Sequence, residues 1–244
     1  NYASWTFRKA PKFFDVVTYT GNGVAGREIA HNLGGTVGMV IVKGTNTTYN
    51  WMATHRSMTA GKYINLNATN AEMGPNNGVI FGNDSIGIAP TDSVFTVGSN
   101  VTVNANGSTY VAYLFGHNDS GDGEFGPDGD QDIIKCGSYT GNGSADGPEI
   151  NLGFEAQWVM IKRTDAAGND WVMMDIMRGM PADSGGAYLR ANLSNNEAAT
   201  AYMQPTPTGL KVRGTGSTQA NANGGTYIYM AIRRGPLAPP TAAT

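Results

Sequence analysis

A chain of 244 residues with only 14% charged side chains, 34 glycines and a formal net charge of −3 lies outside the composition of helix bundles and coiled coils, which draw on Ala, Glu, Lys, Leu and Arg. A hydrophobic content of 40% is enough for collapse and excludes a disordered chain; 16 basic against 19 acidic residues give no general attraction to nucleic acid or to an anionic membrane. One cysteine, Cys136, excludes an internal disulfide framework, and no apolar run approaches the roughly 18 residues that span a bilayer.

In chain order, residues 1–13 form an arm ahead of the first strand. Strands are expected at 14–19, 37–43, 51–54, 62–66, 94–97 and 109–114. There β-branched and aromatic residues gather between clusters of Gly, Asn, Asp and Ser that accept positive φ. Asn22-Gly23 and Asn142-Gly143 are hairpin signals. Near 70–73 and 195–199 a short helical turn is the rival reading, with Asn as cap and Glu in the first turn.

The same unit then occurs a second time. Tyr19-Thr20-Gly21-Asn22-Gly23 returns as Tyr139-Thr140-Gly141-Asn142-Gly143. The apolar run ending in Lys43 is answered by one ending in Lys162, and Trp51 by Trp171. Tyr63 pairs with Tyr188, Glu72 with Glu197, and Asn104-Ala105-Asn106-Gly107 with Asn221-Ala222-Asn223-Gly224. Elements that recur in one order, with length changes confined to loops, indicate a tandem duplication. The expectation is all-β: two tandem antiparallel β-sandwich domains, jelly-roll or lectin-like, of six to eight strands each. Their bounds are 14–116 and 133–235. A Pro-rich tail covers 236–244, and a chain starting at Asn1 and ending in that tail reads as a processed protein or a piece of a longer one.

Between the units, residues 117–132 carry Asp119, Asp122, Glu124, Asp128, Asp130 and Asp132 among glycines and serine. A solvated acidic linker is the favoured reading. The alternative is a calcium site, because Ca²⁺ takes six to eight oxygens from loops of this kind; the final Glu of an EF-hand is missing at the required spacing. The histidines, His31, His55 and His117, show no metal-ligand spacing. No other cofactor is implied.

Other chemical-looking motifs give way to structural readings. Gly21-x-Gly23-x-x-Gly26 copies a dinucleotide fingerprint, but the residues behind it are too short and Gly-rich for the helix that would receive a pyrophosphate. Ser57, His55 and Asp15 lack a nucleophile elbow, and carboxylates are scarce inside the expected strands, so no catalytic residue is assigned. Cys136 is expected to be a small buried hydrophobe. The aromatics shared by both units (Trp51, Trp171, Tyr63, Tyr188, Tyr110 and Tyr227) are expected in the core. Tyr49, Trp158 and Tyr202 occur in one unit only, which makes them the candidates for stacking on a glycan.

Long stretches of the chain resemble a tandem domain of virion proteins from tailed phages of marine bacteria, cyanobacteria in particular. They are Trp5-Thr6-Phe7-Arg8-Lys9-Ala10, Phe13-Phe14-Asp15-Val16-Val17, Thr109-Tyr110-Val111-Ala112-Tyr113-Leu114-Phe115 and the run from Thr226-Tyr227-Ile228 to Arg233-Arg234-Gly235-Pro236. The likeness covers nearly the whole chain; it departs at Thr54-His55, where the family often has Tyr-His. It implies a non-enzymatic virion structural protein on the particle's exterior, in a tail fibre or appendage contacting the host. By analogy it would be a homo-oligomer, a trimer being favoured, that meets other virion proteins and a host-surface glycan. The alternatives are a capsid-surface fibre, decoration or spacer, and a glycan-binding or polysaccharide-processing module.

Overall fold

The computed structural model describes residues 3–74, 80–119, 125–126, 128–180 and 186–235. The first unit contains β1 (Phe14–Thr20), β2 (Arg27–Ala30), β3 (Val37–Gly44), β4 (Met52–His55), β5 (Ile64–Asn65), β6 (Gly82–Asn83), β7 (Ile86–Gly87), β8 (Val94–Val97), a one-turn α1 (Val101–Asn104) and β9 (Thr109–Gly116). The second contains β10 (Ile134–Thr140), β11 (Glu149–Asn151), β12 (Ala156–Arg163), β13 (Val172–Asp175), a 3₁₀ turn (Ile176–Arg178), β14 (Ala187–Arg190), β15 (Ala198–Ala199), β16 (Met203–Thr206), β17 (Gly209–Val212) and β18 (Thr226–Arg233). The all-β class is as expected, and the strands pair antiparallel.

Two large sheets dominate, in the orders β1-β9-β3-β4-β5 and β10-β18-β12-β13-β14-β15. Corresponding strands hold corresponding places in the two. Each large sheet is backed by a small one, β2-β8 in the first unit and β11-β17-β16 in the second.

Side-chain alternation explains how these layers stack. In β3, Val40 and Val42 face the small sheet with Tyr110, Ala112 and Leu114 of β9. The intervening Met39 and Ile41 face the other way, and so does Phe115. In β12 and β18, Val159, Ile161, Tyr227 and Tyr229 line the outer core of the second unit. Trp158, Met160, Ile228 and Met230 turn inward and join Met39, Ile41 and Phe115 in one cluster. The molecule is therefore four layers deep, and the two large sheets share a central core. A strand buried on both faces reads as a continuous apolar run, which is why β3 shows no polar alternation.

Where the two units meet, the first residues of the segment 117–132 take part in the packing. β10 is an edge strand, and residues at the start of 117–132 cap its open edge. Asn118 is buried; its N–H donates to Ile134 O at 2.9 Å, and its Oδ1 accepts from Ile134 N at 3.1 Å. One residue pair further along, Cys136 N donates to His117 Nδ1 at 3.1 Å. The segment that follows β9 thus supplies the partners an unpaired edge requires. Gly38 sits where the sheets come closest: a Cβ there would stand 2.5 Å from Cys136 Sγ.

One local expectation fails, and so does one rival reading. Asn22-Gly23 is not a hairpin turn, since β1 pairs with β9 and β2 with β8. The turn packs instead against Asn104, whose Oδ1 accepts from Asn22 N at 3.0 Å, and Asn221 does the same for Asn142 at 2.9 Å. The rival reading of a helical turn near 70–73 and 195–199 does not hold: Met73 bridges Tyr63, and β15 occupies 198–199. Pairing to a neighbouring backbone outweighed the local capping signal.

Candidate functional site

Three residues distant in sequence meet where the two large sheets touch. His55, at the end of β4, is buried; its Nε2 lies 3.0 Å from Tyr229 O and its Nδ1 accepts from Ser57 N at 3.1 Å. Because Nδ1 is an acceptor, the ring is neutral with its proton on Nε2, and that N–H donates to the Tyr229 carbonyl. Burial pushes its pKa down to about 3. His117 is held the same way, with Nδ1 accepting from Cys136 N, and burial followed by the charge of Arg56 pushes it down to about 4. Both ring nitrogens of His55 are committed to main chain, and Asp15 is engaged elsewhere, accepting from Val16 N, Asn32 N and Lys9. No triad with Ser57 forms.

Arg56 follows His55 directly and leans the guanidinium over the same strand edge, Nη1 donating to Cys136 O at 3.4 Å. The N–H and C=O of Cys136 therefore carry His117 and Arg56 side by side. The Cys136 thiol is fully buried and its pKa is driven up by burial. It behaves as the packing residue the sequence suggested.

These groups open into a cleft of about 570 Å³ bordered by Lys12, Arg56, Asp92 and His117, with Gly34, Gly35, Gly38 and Gly61 in its walls. Lys12 adopts φ 57°, the left-handed region that is unusual for a residue with a Cβ. Its backbone is fixed there by Lys12 N donating to Leu33 O at 2.6 Å and Asn118 Nδ2 donating to Lys12 O at 3.0 Å. With neutral histidines, a main-chain-rich wall and cations at the rim, the cleft is suited to holding a polar ligand. No motif announces it, because its parts come from β3, β4, the loop before β8 and the segment after β9.

A second cleft, of about 520 Å³, lies under the N-terminal arm between Trp5, Phe7, Trp158, Asp175 and Arg178. Trp5 Nε1 donates to Asp175 Oδ2 at 3.2 Å, and the Arg178 guanidinium stands 5.9 Å from the Trp5 ring.

The glycan candidates taken from the sequence separate. Tyr49 is 41% exposed and available. Trp158 is 6% exposed and covered by Trp5 and Phe7, with ring centroids at 6.3 and 6.1 Å; Tyr202 is 7% exposed and packs edge-on to Tyr188 at 5.0 Å. Neither ring offers a free face for stacking, so both leave the candidate list. Trp158 belongs to the central core and Tyr202 to the outer core of its unit. Among the shared aromatics, Tyr110, Tyr227, Trp171 and Tyr188 are buried core residues, while Trp51 and Tyr63 are half-buried at its margin.

For the calcium alternative, Asp122 and Glu124 lie outside the described residues. Lys135 draws Asp119 and Asp132 together, with Nζ at 3.9 and 3.3 Å. Asp128 and Asp130 do not join them: among the described residues no three His, Cys, Asp or Glu side chains are placed to share a cation.

Lys162 is a buried charge with no motif around it in the sequence. It is fully buried, its Nζ donates to Asn169 O, and burial pushes its pKa down to about 8. Lys43 does the same work in the first unit, Nζ donating to Thr47 O and Tyr49 O at 3.1 and 2.6 Å. The matching lysines at the ends of the apolar runs are loop staples. Their shared position in the two units was the available signal.

No curated protein and no solved structure matches the chain. Residues 9–236 match the profile of a family described as "Domain of unknown function (DUF7483)", and the chain belongs to that family.

Proposed function

We propose that this chain is a non-enzymatic structural module of a tailed-phage virion, in a fibre or appendage on the particle's exterior that meets the host surface, and that it arose by duplication of one β unit. The observation that carries the reading is the central core, in which inward faces of both large sheets form one cluster. A shared core ties the two units to one another, an arrangement that suits a load-bearing part. The groups that resemble catalytic ones at its centre are tied into the architecture: His55 and His117 to main chain, Lys162 to a loop, Cys136 to packing. The matching strand orders support the duplication, and the resemblance to phage virion proteins supports the location. Assembly as a homotrimer completes the proposal by analogy with fibres at the level of architecture.

Immunogold electron microscopy of the intact particle, with antibody against this segment, tests the location. Label at the tail end is expected. Label over the capsid replaces the appendage with a decoration or spacer role, and an unlabelled particle overturns the virion assignment. Sedimentation equilibrium of the purified chain tests the trimer.

A further inference from the structure

The seam cleft carries charge and open donors that a spacer does not need. Arg56 is exposed and, among the described residues, has no carboxylate within ion-pair distance; its guanidinium makes the 3.4 Å bond to Cys136 O. His117 accepts through Nδ1, so its neutral ring carries a proton on Nε2, and no described group accepts that proton. Two donors therefore stand beside one another with no acceptor between them. Asp92 lies on the same rim, and Asp119 and Lys135 act on His117 from the segment and strand beside it.

We propose that this cleft binds a small hydroxylated carboxylate, an acidic sugar of the hexuronate class, with its carboxylate on the Arg56 guanidinium and the His117 Nε2–H. The guanidinium fork fits a planar carboxylate by two parallel hydrogen bonds. Asp92 is an acceptor for sugar hydroxyls, and the glycine stretches expose main-chain groups for the same purpose. Met58, Ile88 and Pro90 form an apolar strip on the lining for the C–H face of a ring. A volume of about 570 Å³ falls within the roughly 300–1,000 Å³ of small-molecule sites, which is room for one or two sugar rings. The strained backbone of Lys12 on this rim fits the tendency of such strain to gather at ligand clamps. The inference holds whether or not the protein sits on a virion.

Isothermal titration calorimetry of the whole chain tests it, with sodium glucuronate, glucose and sodium acetate as separate probes. Glucuronate is expected to bind at least about tenfold more tightly than either of the others, and Arg56→Ala to weaken it by about tenfold or more. Arg56→Lys, which keeps the charge but loses the fork, is expected to fall between. Arg56 also donates to the Cys136 carbonyl, so melting is followed for each variant, and Arg56→Lys, which keeps a donor there, separates a loss of ligand from a loss of that edge contact. Equal binding of glucose refutes carboxylate recognition, and equal binding of acetate reduces the site to a simple anion hole. No heat with glucuronate, or full affinity in Arg56→Ala, overturns the proposal.

Discussion

Acidification from pH 7 to pH 5 should destabilise this protein through its histidines, of which His55 is buried and His117 half-buried. An unfolded histidine titrates near 6.5, whereas in the native state His55 and His117 are held near 3 and 4. As pH falls through 6.5 the unfolded chain takes up protons that the native chain refuses, so stability drops with falling pH, a loss complete only below the native values. Each pH unit crossed while a histidine is protonated only in the unfolded chain costs about 1.4 kcal/mol. A pH of 5 lies about 1.5 units below the unfolded value, which gives a loss of about 2 kcal/mol for the buried His55 and a smaller one for the half-buried His117, whose ring water can reach through the cleft. His31, also held down by burial, acts in the same direction. Carboxylates contribute little in this window because their unfolded values lie near 4. Urea unfolding at pH 7, 6 and 5 and constant ionic strength measures the effect as a falling midpoint at constant slope. In His55→Gln the midpoint should fall clearly less far than in the wild type. A midpoint unchanged between pH 7 and 5 would mean that the two rings are solvated, and the closed seam would be wrong.

Other outcomes follow from the same seam. Gly38→Ala places a Cβ 2.5 Å from both Cys136 Sγ and Gly116 O and should cost about 3 kcal/mol by prising the large sheets apart. Gly235→Ala, with nothing within 4 Å, should leave the melting temperature unchanged, and equal melting of the two variants would contradict the close approach. The native Cys136 thiol should resist a thiol reagent until urea unfolds the chain; prompt labelling without denaturant would show an open seam. Calcium or a chelator should leave the melting temperature alone if 117–132 is held by Lys135 and Asn118 rather than by a cation, and a rise of several degrees with calcium would restore the metal site.

Much of the fold was readable because strands 14–20, 37–44, 94–97 and 109–116 carry their own signatures of β-branched and aromatic residues between turn formers. The stacking of the two units was harder to read, although the cue was present. The run Val37-Gly38-Met39-Val40-Ile41-Val42 has no polar face, and neither has Trp158-Val159-Met160-Ile161; a half-solvated sheet would have shown alternation. The cleft was illegible for a different reason. His55, His117 and Cys136 have no meaningful spacing in the chain, and only the contact between sheets makes them neighbours. Single-copy aromatics misled because a residue can differ between the units and still be buried, as Trp158 is beneath the arm.

The capping of β10 by His117, Asn118 and Arg56 has a bearing on how the chain is made. Synthesis delivers the first unit before the second, so the partners of this edge are already in place when residues 134–140 emerge. The same order sets a cost for cutting the chain at its midpoint. A second half produced alone would present Ile134, Trp158, Met160, Ile228 and Met230 to water beside a strand edge with free N–H and C=O groups, the combination that drives strands of different molecules to pair. The repeat marks a boundary of pattern, and the halves on either side of it share one core.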